Sequence, residues 1–147
     1  MDIRSYLSGY ADGEGCFCVS INKSKRHKFG WEIRPSFSVS QNRDRAQVLE
    51  MLQQYFGCGA IRPDRSDKTL KYEVRSVDEL ATKVIPHFEE TPLLSSKRHD
   101  FGLFAEICQM MYQGYHLVRE GFIRILDLAF EMNPSGIRKY AKEEIKI

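Results

Sequence analysis

Two carboxylates, Asp12 and Glu14, lie close together where the predicted first helix breaks into glycine. They belong to the stretch YLSGYADGEGCF at 6–17, in which Gly13 and Gly15 alternate with the two acids. The last turn of a helix exposes unpaired backbone carbonyls and carries a partial negative charge, so further anions there are electrostatically unfavourable. Asp12 alone is compatible with an acid that caps a turn. The pair therefore marks the first candidate site for chemistry.

The composition is that of an ordinary globular protein of 147 residues, 42% hydrophobic and 29% charged. This length supports one domain with a hydrophobic core, so we expect a single domain over 1–147. The sequence contains no run of about 18 apolar residues, which a membrane-spanning helix needs. The N-terminal residues have no signal-peptide or transit-peptide character. The four cysteines lack metal-binding spacing, which argues against zinc and predicts free thiols in a reducing, intracellular compartment.

Positive charge is concentrated in the middle of the chain. The formal net charge is only +2, but residues 20–75 contain twelve Lys or Arg and six acidic residues. A basic region of this kind predicts a polyanion as partner, above all a nucleic acid. A solvated surface that is merely basic is the alternative.

Alternating apolar and polar residues predict two β-hairpins. The first joins CFCVSIN at 16–22 to WEIRPSFSVSQ at 31–41, and Pro35 predicts a bulge or a strand edge because it lacks a backbone donor. The second joins AIRPDR at 60–65 to LKYEVRS at 70–76, with SDK at 66–68 as the turn. Each hairpin has one apolar and one polar face.

Four further segments have helical periodicity. A helix over 45–56 is expected to be capped by Asn42 or Asp44 and ended by Gly57. The other predicted helices are 77–88, interrupted or ended near Pro86, and the two later segments 95–114 and 116–133. The order α-β-β-α-β-β-α with extra helices predicts an α+β fold with helices on one face of an antiparallel sheet.

The other face of the predicted sheet is left uncovered and carries polar and charged side chains. Arg and Lys pair with guanine, Asn with adenine, and Glu and Asp with cytosine, so this face is suited to contact base edges and phosphates. An ordinary solvated sheet face is the alternative.

The opening stretch LSGYADGEG, Leu7 to Gly15, resembles the LAGLIDADG motif position by position. Its departures are Ser8 for Ala, Tyr10 and Ala11 for larger aliphatics, and Glu14 where Asp is common. Three later segments are similar to the family in the same order, namely FSVSQNRDR at 37–45, TPLLSSKRHDF at 91–101 and MNPSGIRKY at 132–140. The chain is identified as a member of the LAGLIDADG homing endonuclease family, of the single-motif, homodimeric type.

This resemblance implies an αββαββα core with a saddle-shaped DNA-binding sheet, and a site-specific endonuclease that breaks both strands of a long pseudo-palindromic duplex. It places the family's catalytic acid at Glu14, a water-ordering residue at Gln41, and basic residues near the scissile phosphate at Arg45 and Lys97. The residues expected to contact DNA are Cys18, Ser20, Asn22, Lys25, Glu32, Arg34, Ser36, Ser38, Arg62, Asp64, Lys71, Glu73, Arg75 and Lys139.

Small residues on the first helix predict how two copies of the chain meet. A stripe of Ser5, Ser8, Gly9 and Asp12 lets two helix backbones approach closely, and a chain with one such helix closes that contact with a copy of itself. The two negatively charged helix ends then converge, which requires a cation. Hard oxygen ligands from the carboxylate of Glu14 and the carbonyl of Gly13 suit Mg²⁺, with Mn²⁺ as another hard cation.

Two other classes of function are compatible with the sequence. One is a cleavage-deficient family member that acts as an RNA maturase or a DNA-binding regulator. The other is an oligomeric α+β domain unrelated to nucleic acid. The expected setting is the bacterial cytoplasm or an organelle that encodes the protein.

Overall fold

The computed structural model describes residues 2–132 and 138–147, apart from the side chain of Asp67. Part of the closing segment predicted at 132–140 therefore lies outside the described residues. The helices are α1 (Ile3–Glu14), α2 (Gln47–Phe56), α3 (Val77–Glu79), α4 (Ile85–Glu90), α5 (Lys97–Tyr112) and α6 (Arg119–Glu131), and the strands are β1 (Gly15–Lys23), β2 (Trp31–Asn42), β3 (Ala60–Asp64) and β4 (Ser66–Val74). This order confirms the predicted α+β class and the αββαββα arrangement with extra helices.

The four strands form one antiparallel sheet in the order β1-β2-β4-β3. The whole of β1 pairs with β2, whereas β4 pairs only with the second half of β2, from Phe37 to Asn42. Pro35 lies in the first half, where β2 has a neighbour on one side only. The predicted edge position of this proline is confirmed.

The turn of the second hairpin differs from the prediction. Arg65 has a φ of 60° and reverses the chain alone, so β4 begins at Ser66 and the segment SDK lies in the strand. The pairing of β3 with β4 shifts register between Pro63 and Asp64, just before this turn. The predicted turn was wrong because a single residue in the left-handed region shortens the connection.

The start of α2 also differs. A short 3₁₀ turn over Arg43–Arg45 precedes α2, and neither helix start has a side-chain cap, so the predicted capping by Asn42 or Asp44 is wrong. The predicted end is confirmed, since Gly57 terminates α2 with a φ of 68°.

Pro86 is accommodated at the junction of two helical segments. A π-helical turn over Leu80–Val84 joins α3 to α4, and Pro86 lies in the first turn of α4. A proline in the first turn removes an N–H that has no partner there in any case. The interruption predicted near this residue is therefore a change of helical winding.

The core lies between the helices and one face of the sheet. Phe17 of β1 is 2% exposed, and its ring centroid lies 5.1 Å from that of Phe37, 5.4 Å from Phe88 and 5.2 Å from Phe104. These aromatic contacts join β1 and β2 to α4 and α5. The inward face of β1 and β2 is apolar as predicted, so the polar residues of both strands lie on the opposite, helix-free face.

No helix within 2–132 or 138–147 is long and apolar enough to cross a membrane. All four cysteines are free, with Cys58 and Cys108 buried.

Candidate active site and nucleic-acid interface

Glu14 is the last residue of α1 and projects from it into solvent. Gly15 follows at once and begins β1, with its N–H bonded to the carbonyl of Ala11. A Cβ at Gly15 would lie 2.7 Å from that carbonyl oxygen, so only glycine fits this tight exit from the helix. The carboxylate of Glu14 has no hydrogen bond or ion pair with any described residue. The chain therefore presents a free anion at a fixed point beside the sheet.

Lys97 brings a cation to the same helix end. Its Nζ donates to the carbonyl oxygens of Ala11 at 3.1 Å and Gly15 at 2.6 Å. A lysine in this position complements the partial negative charge of the helix C-terminus. Lys97 therefore offsets part of the negative potential around Glu14, and the structure brings these two predicted site residues together.

Asp12 connects α1 to the loop before α5. Its carboxylate accepts hydrogen bonds from the backbone N–H groups of Leu94 at 3.0 Å and Ser95 at 3.1 Å, and from the Ser95 hydroxyl. The Ser95 hydroxyl is the main cause that holds the pKa of Asp12 below its ordinary value. The carboxylate of Asp12 is thus bound within its own chain, and its place in a dimer interface stays a prediction.

Ser8 faces the interior of its own chain. It is 4% exposed, its hydroxyl donates to the carbonyl of Thr91 at 2.6 Å, and it lies 2.9 Å from Nε2 of His87. Since the hydroxyl proton goes to Thr91, Nε2 is the donor to Ser8, and Nδ1 accepts from the Tyr55 hydroxyl at 2.8 Å. Burial lowers the pKa of His87, which favours this neutral form. The assignment of Ser8 to a dimer interface was therefore wrong.

Three small residues of α1 do face outward, namely Ser5, Gly9 and Gly13, which we call the small-residue face. They are spaced by four residues and lie along one side of the helix. A Cβ added at Gly9 or Gly13 would meet nothing within 4 Å. The predicted stripe is thus shifted, with Ser5 and Gly9 retained and Gly13 added.

Gln41 is half-buried at the end of β2 and is held at both ends of its carboxamide. Its Nε2 donates to the hydroxyl of Tyr10 on α1, and its Oε1 accepts from the backbone N–H of Asn42 at 3.0 Å. Arg45 is exposed in the turn after β2, and the structure shows no contact that joins it to Glu14. Of the predicted catalytic residues, Glu14, Lys97 and Gln41 are therefore connected through α1, and Arg45 is not.

The helix-free face of β1 and β2 carries most of the residues predicted to contact DNA. The register pairs Cys18 with Ser36, Ser20 with Arg34, and Asn22 with Glu32. All six side chains are half-buried or exposed. They form an accessible polar surface on one side of the sheet.

Ser38 is an exception on this face. It is 8% exposed and lies between its cross-strand neighbours Cys16 and Glu73. The DNA contact predicted for Ser38 is therefore limited to the small part of the residue that remains exposed.

Glu73 forms ion pairs with three cationic side chains on the other half of this face. Its Oε1 lies 2.7 Å from Nε of Arg75 and 3.3 Å from Nη2 of Arg62, and its Oε2 lies 3.7 Å from Nζ of Lys71. Burial alone would raise the pKa of Glu73, but the Arg75 hydrogen bond and the nearby cations hold it below its ordinary value. The side chain of Glu73 is 11% exposed and the cations are more exposed. We call these four residues the cation cluster.

The remaining predicted contact residues lie around this face. Asp64 accepts a hydrogen bond from Ser40 at 2.8 Å, and Lys25 is exposed in the β1–β2 connection. Lys139 is exposed, in a short segment that sequence reasoning did not connect to the sheet. Arg138 anchors this segment by donating to the carbonyl of Val19 at 2.5 Å, which places Lys139 beside a cleft along β1.

Among the residues that the structure describes, no group of three or more His, Cys, Asp or Glu is arranged to hold a metal ion. Carboxylate oxygens are among the ligands that a hard divalent cation prefers. Glu14 is suited to be one of them, because its carboxylate is exposed and has no partner within the described ranges.

Residues 7–108 match a protein family described as LAGLIDADG endonuclease. The chain is 32% identical over 140 residues to the probable intron-encoded endonuclease 2 of Neurospora crassa, covering 95% of this chain and 31% of that protein. The chain thus spans about a third of the length of that curated relative.

Solved structures are similar over nearly the whole fold. The homing endonuclease I-TnaI superimposes with a TM-score of 0.83 at 39% identity, covering 90% of each chain. The LAGLIDADG homing endonuclease I-SmaMI bound to cleaved DNA superimposes with a TM-score of 0.87 at 29% identity, covering 97% of this chain and 46% of that one. Another structure of I-SmaMI on uncleaved DNA was obtained in the presence of calcium ions.

The family match covers more than half of the chain and begins at the first residue of the predicted motif, Leu7. The same motif residues form the end of α1 and the start of β1, where the free carboxylate of Glu14 lies. This chain belongs to the LAGLIDADG endonuclease family.

Proposed function

We propose that the protein is a site-specific DNA endonuclease of the intron-homing type. It would break both strands of a long pseudo-palindromic duplex by metal-dependent hydrolysis of phosphodiester bonds, with 1–147 acting as one domain. The observation that carries this proposal is the free carboxylate of Glu14 at the end of α1, next to the polar face of the sheet. The carbonyls of Ala11 and Gly15 at this helix end accept hydrogen bonds from Lys97. The intron-encoded relative and the similar protein bound to cleaved DNA support the same activity.

The proposed metal is a hard divalent cation, Mg²⁺ in the cell. The donor set fits, because the carboxylate of Glu14 and the carbonyl of Gly13 offer the hard oxygen atoms that such an ion prefers. When bound, such an ion activates water and stabilises the leaving oxygen of the phosphodiester. The remaining ligands would come from DNA phosphates, water and a second copy of the chain.

A homodimer completes this site. The small-residue face of α1 leaves open space around Gly9 and Gly13, which allows the backbone of a second α1 to approach closely. Contact around a two-fold axis places one Glu14 carboxylate from each copy near the same point, and one near each strand of a duplex. A dimer of two identical chains is therefore expected to bind a symmetric DNA target.

Other residues of the chain have separate roles in the proposed cleavage and DNA binding. Lys97 is a half-buried cation at the end of α1 and faces the carbonyls around Glu14, so its positive charge is available to a scissile phosphate nearby. Gln41 orders a water molecule, and the exposed Arg45 approaches the phosphate from the turn after β2. The polar sheet face and the cation cluster bind the flanking duplex.

The Glu14→Gln variant tests whether Glu14 is needed for cleavage but not for DNA binding. The amide keeps the size of the side chain but removes its charge, so we expect cleavage to fall by a factor on the order of 10³ or more. Duplex affinity should be unchanged or higher, because two phosphate-repelling charges are lost per dimer. Cleavage rate and affinity are measured on a selected target across a Mg²⁺ titration.

Glu131→Gln is the matched control, since Glu131 is also an exposed glutamate at the last residue of a helix without a described partner. It should cleave like the wild type. Normal cleavage by Glu14→Gln would place the metal elsewhere and refute this active site. A wild type that binds duplex without cutting it would be a regulator, and one that binds structured intron RNA more tightly than duplex DNA would be a maturase.

A further inference from the structure

Tyr10 departs from the family motif by carrying a hydroxyl where a larger aliphatic side chain is usual. It lies on α1 one turn before Glu14, so the two side chains share one side of the helix. Its ring is half-buried, packs against the core, and lies 6.2 Å from the ring of Tyr6 between centroids. A leucine or isoleucine here would supply apolar packing but no group that forms a hydrogen bond.

That hydroxyl binds Gln41. Nε2 of Gln41 donates to Oη of Tyr10, and Oε1 of Gln41 accepts from the N–H of Asn42 at 3.0 Å. The orientation of the carboxamide follows from this pattern, because a backbone N–H only donates and therefore faces the amide oxygen. One N–H of Gln41 and the hydroxyl proton of Tyr10 then have no partner within the described ranges.

Both partners of this hydrogen bond come from elements that meet at the active site. Gln41 is the second-last residue of β2, and Tyr10 belongs to the helix that carries Glu14. The bond therefore fixes the amide of Gln41 relative to the carboxylate at the helix end. Without it, only the hydrogen bond from the N–H of Asn42 restrains the last torsion angle of Gln41.

We propose that Tyr10 is a positioning residue, whose hydroxyl holds the carboxamide of Gln41 in the orientation that orders the attacking water. This inference rests on the proposed endonuclease function and on the role of Gln41 in it. One N–H of the Gln41 carboxamide has no partner within the described ranges and is available to a water molecule. A loss of alignment at an attacking group costs up to about 100-fold in rate, even when the group itself remains.

The test compares Tyr10→Phe, Gln41→Ala and the double variant in single-turnover cleavage at saturating duplex and Mg²⁺. We expect Tyr10→Phe to cut about 10- to 100-fold more slowly than the wild type. Its duplex affinity should stay within about twofold, because phenylalanine keeps the ring and its packing. In the Gln41→Ala background the same change should have little further effect, because the group that Tyr10 positions is already absent.

Tyr112→Phe is the control, since Tyr112 is 50% exposed at the end of α5 and its hydroxyl has no described partner. A normal rate for Tyr10→Phe, an equal loss in the Gln41→Ala background, or a loss of duplex affinity would overturn the inference. Failure of the proposed function is distinguishable, because the wild type itself would then leave the duplex uncut.

Discussion

At the scale of single residues, the two acids of the motif have different environments. Asp12 is engaged by three hydrogen bonds to the loop at Leu94 and Ser95, whereas Glu14 has no described partner. Lys97 follows that loop closely and caps the same helix end. In the proposed site, Asp12 therefore holds the segment that positions Lys97, and of the two acids Glu14 is the one with a carboxylate available as a ligand.

Asp12→Asn tests this structural role. An amide accepts fewer hydrogen bonds from the two N–H groups and the hydroxyl, so we expect the free energy of unfolding at pH 7 to fall by about 1–2 kcal/mol. The pKa of Asp12 is lowered in the folded state, so its contribution is present above the unfolded value of 3.8 and disappears as the pH falls through the folded value. Urea unfolding at pH 7 and pH 3 measures both effects.

Asp44→Asn is the comparison variant, because Asp44 is exposed and has no described partner. It should unfold like the wild type at both pH values. An Asp12→Asn variant as stable as the wild type at pH 7, or one whose deficit is unchanged at pH 3, would contradict the role assigned to this carboxylate.

The candidate site was only partly predictable from the sequence. Glu14 could be found because two acids at a helix end conflict with the helix dipole. Lys97 and Gln41 required the family resemblance, since their distance from Glu14 along the chain gives no sign of contact. The bond from Tyr10 to Gln41 depends on how the end of β2 meets α1, which no local pattern reports.

At the scale of elements, α1 has two faces with different partners. Leu7, Ser8 and Ala11 are buried against the rest of the chain, and the small-residue face is open. The error over Ser8 arose because small residues give no clear signal of inside or outside. Its position three residues before Ala11 on the buried side is what places its hydroxyl at His87.

Gly9→Leu tests the open face of α1. A Cβ at Gly9 meets nothing within 4 Å in the single chain, and leucine has a higher helix propensity than glycine. We therefore expect an intact monomer fold by circular dichroism, but loss of the dimer and of cleavage, because the added side chain separates the two helices. Sedimentation velocity measures the assembly state.

Gly102→Leu controls for the substitution itself, since Gly102 is an exposed glycine of α5 whose Cβ would also meet nothing within 4 Å. That variant should sediment and cleave as the wild type does. A Gly9→Leu protein that remains dimeric would show that the two copies meet through another surface.

The boundaries of elements were less predictable than their order. Hydrophobic periodicity identified the two hairpins and α2, because burial on one face sets the period. The turn at Arg65 and the 3₁₀ segment before α2 depend on the backbone of one or two residues. Such local conformations are decided by the packing of the elements on either side.

At the scale of the whole molecule, the fold separates a hydrophobic core from a basic, polar surface across one sheet. The helices bind the inward face, so the outward face is free for a long ligand. The formal net charge of only +2 gives no indication of this basic surface, because the excess of cations in residues 20–75 is offset by acidic residues elsewhere in the chain. A surface of this kind predicts duplex binding that weakens strongly with added salt.

The dimensions of the sheet predict the size of the target. The nine residues of β1 span about 30 Å at ~3.3 Å per residue, which matches about nine base pairs of duplex. Two copies related by a two-fold axis should therefore protect a pseudo-palindrome on the order of 20 base pairs. Footprinting on a duplex selected from a partially randomised library, with Mg²⁺ present, measures this length.

Substitution of Arg62 tests whether the cation cluster contacts base edges within that footprint. Its side chain is 54% exposed and ion-paired to Glu73 at 3.3 Å, so part of the side chain is available to a guanine edge. We expect Arg62→Ala to relax preference at one symmetric pair of positions, at a cost of about 1–3 kcal/mol for the preferred base. Arg124→Ala removes an equally exposed arginine that pairs with Glu106 on the helices, and its preference profile should match the wild type. Uniform weakening by Arg62→Ala across all sequences would instead identify a phosphate contact, and an unchanged profile would remove Arg62 from the interface.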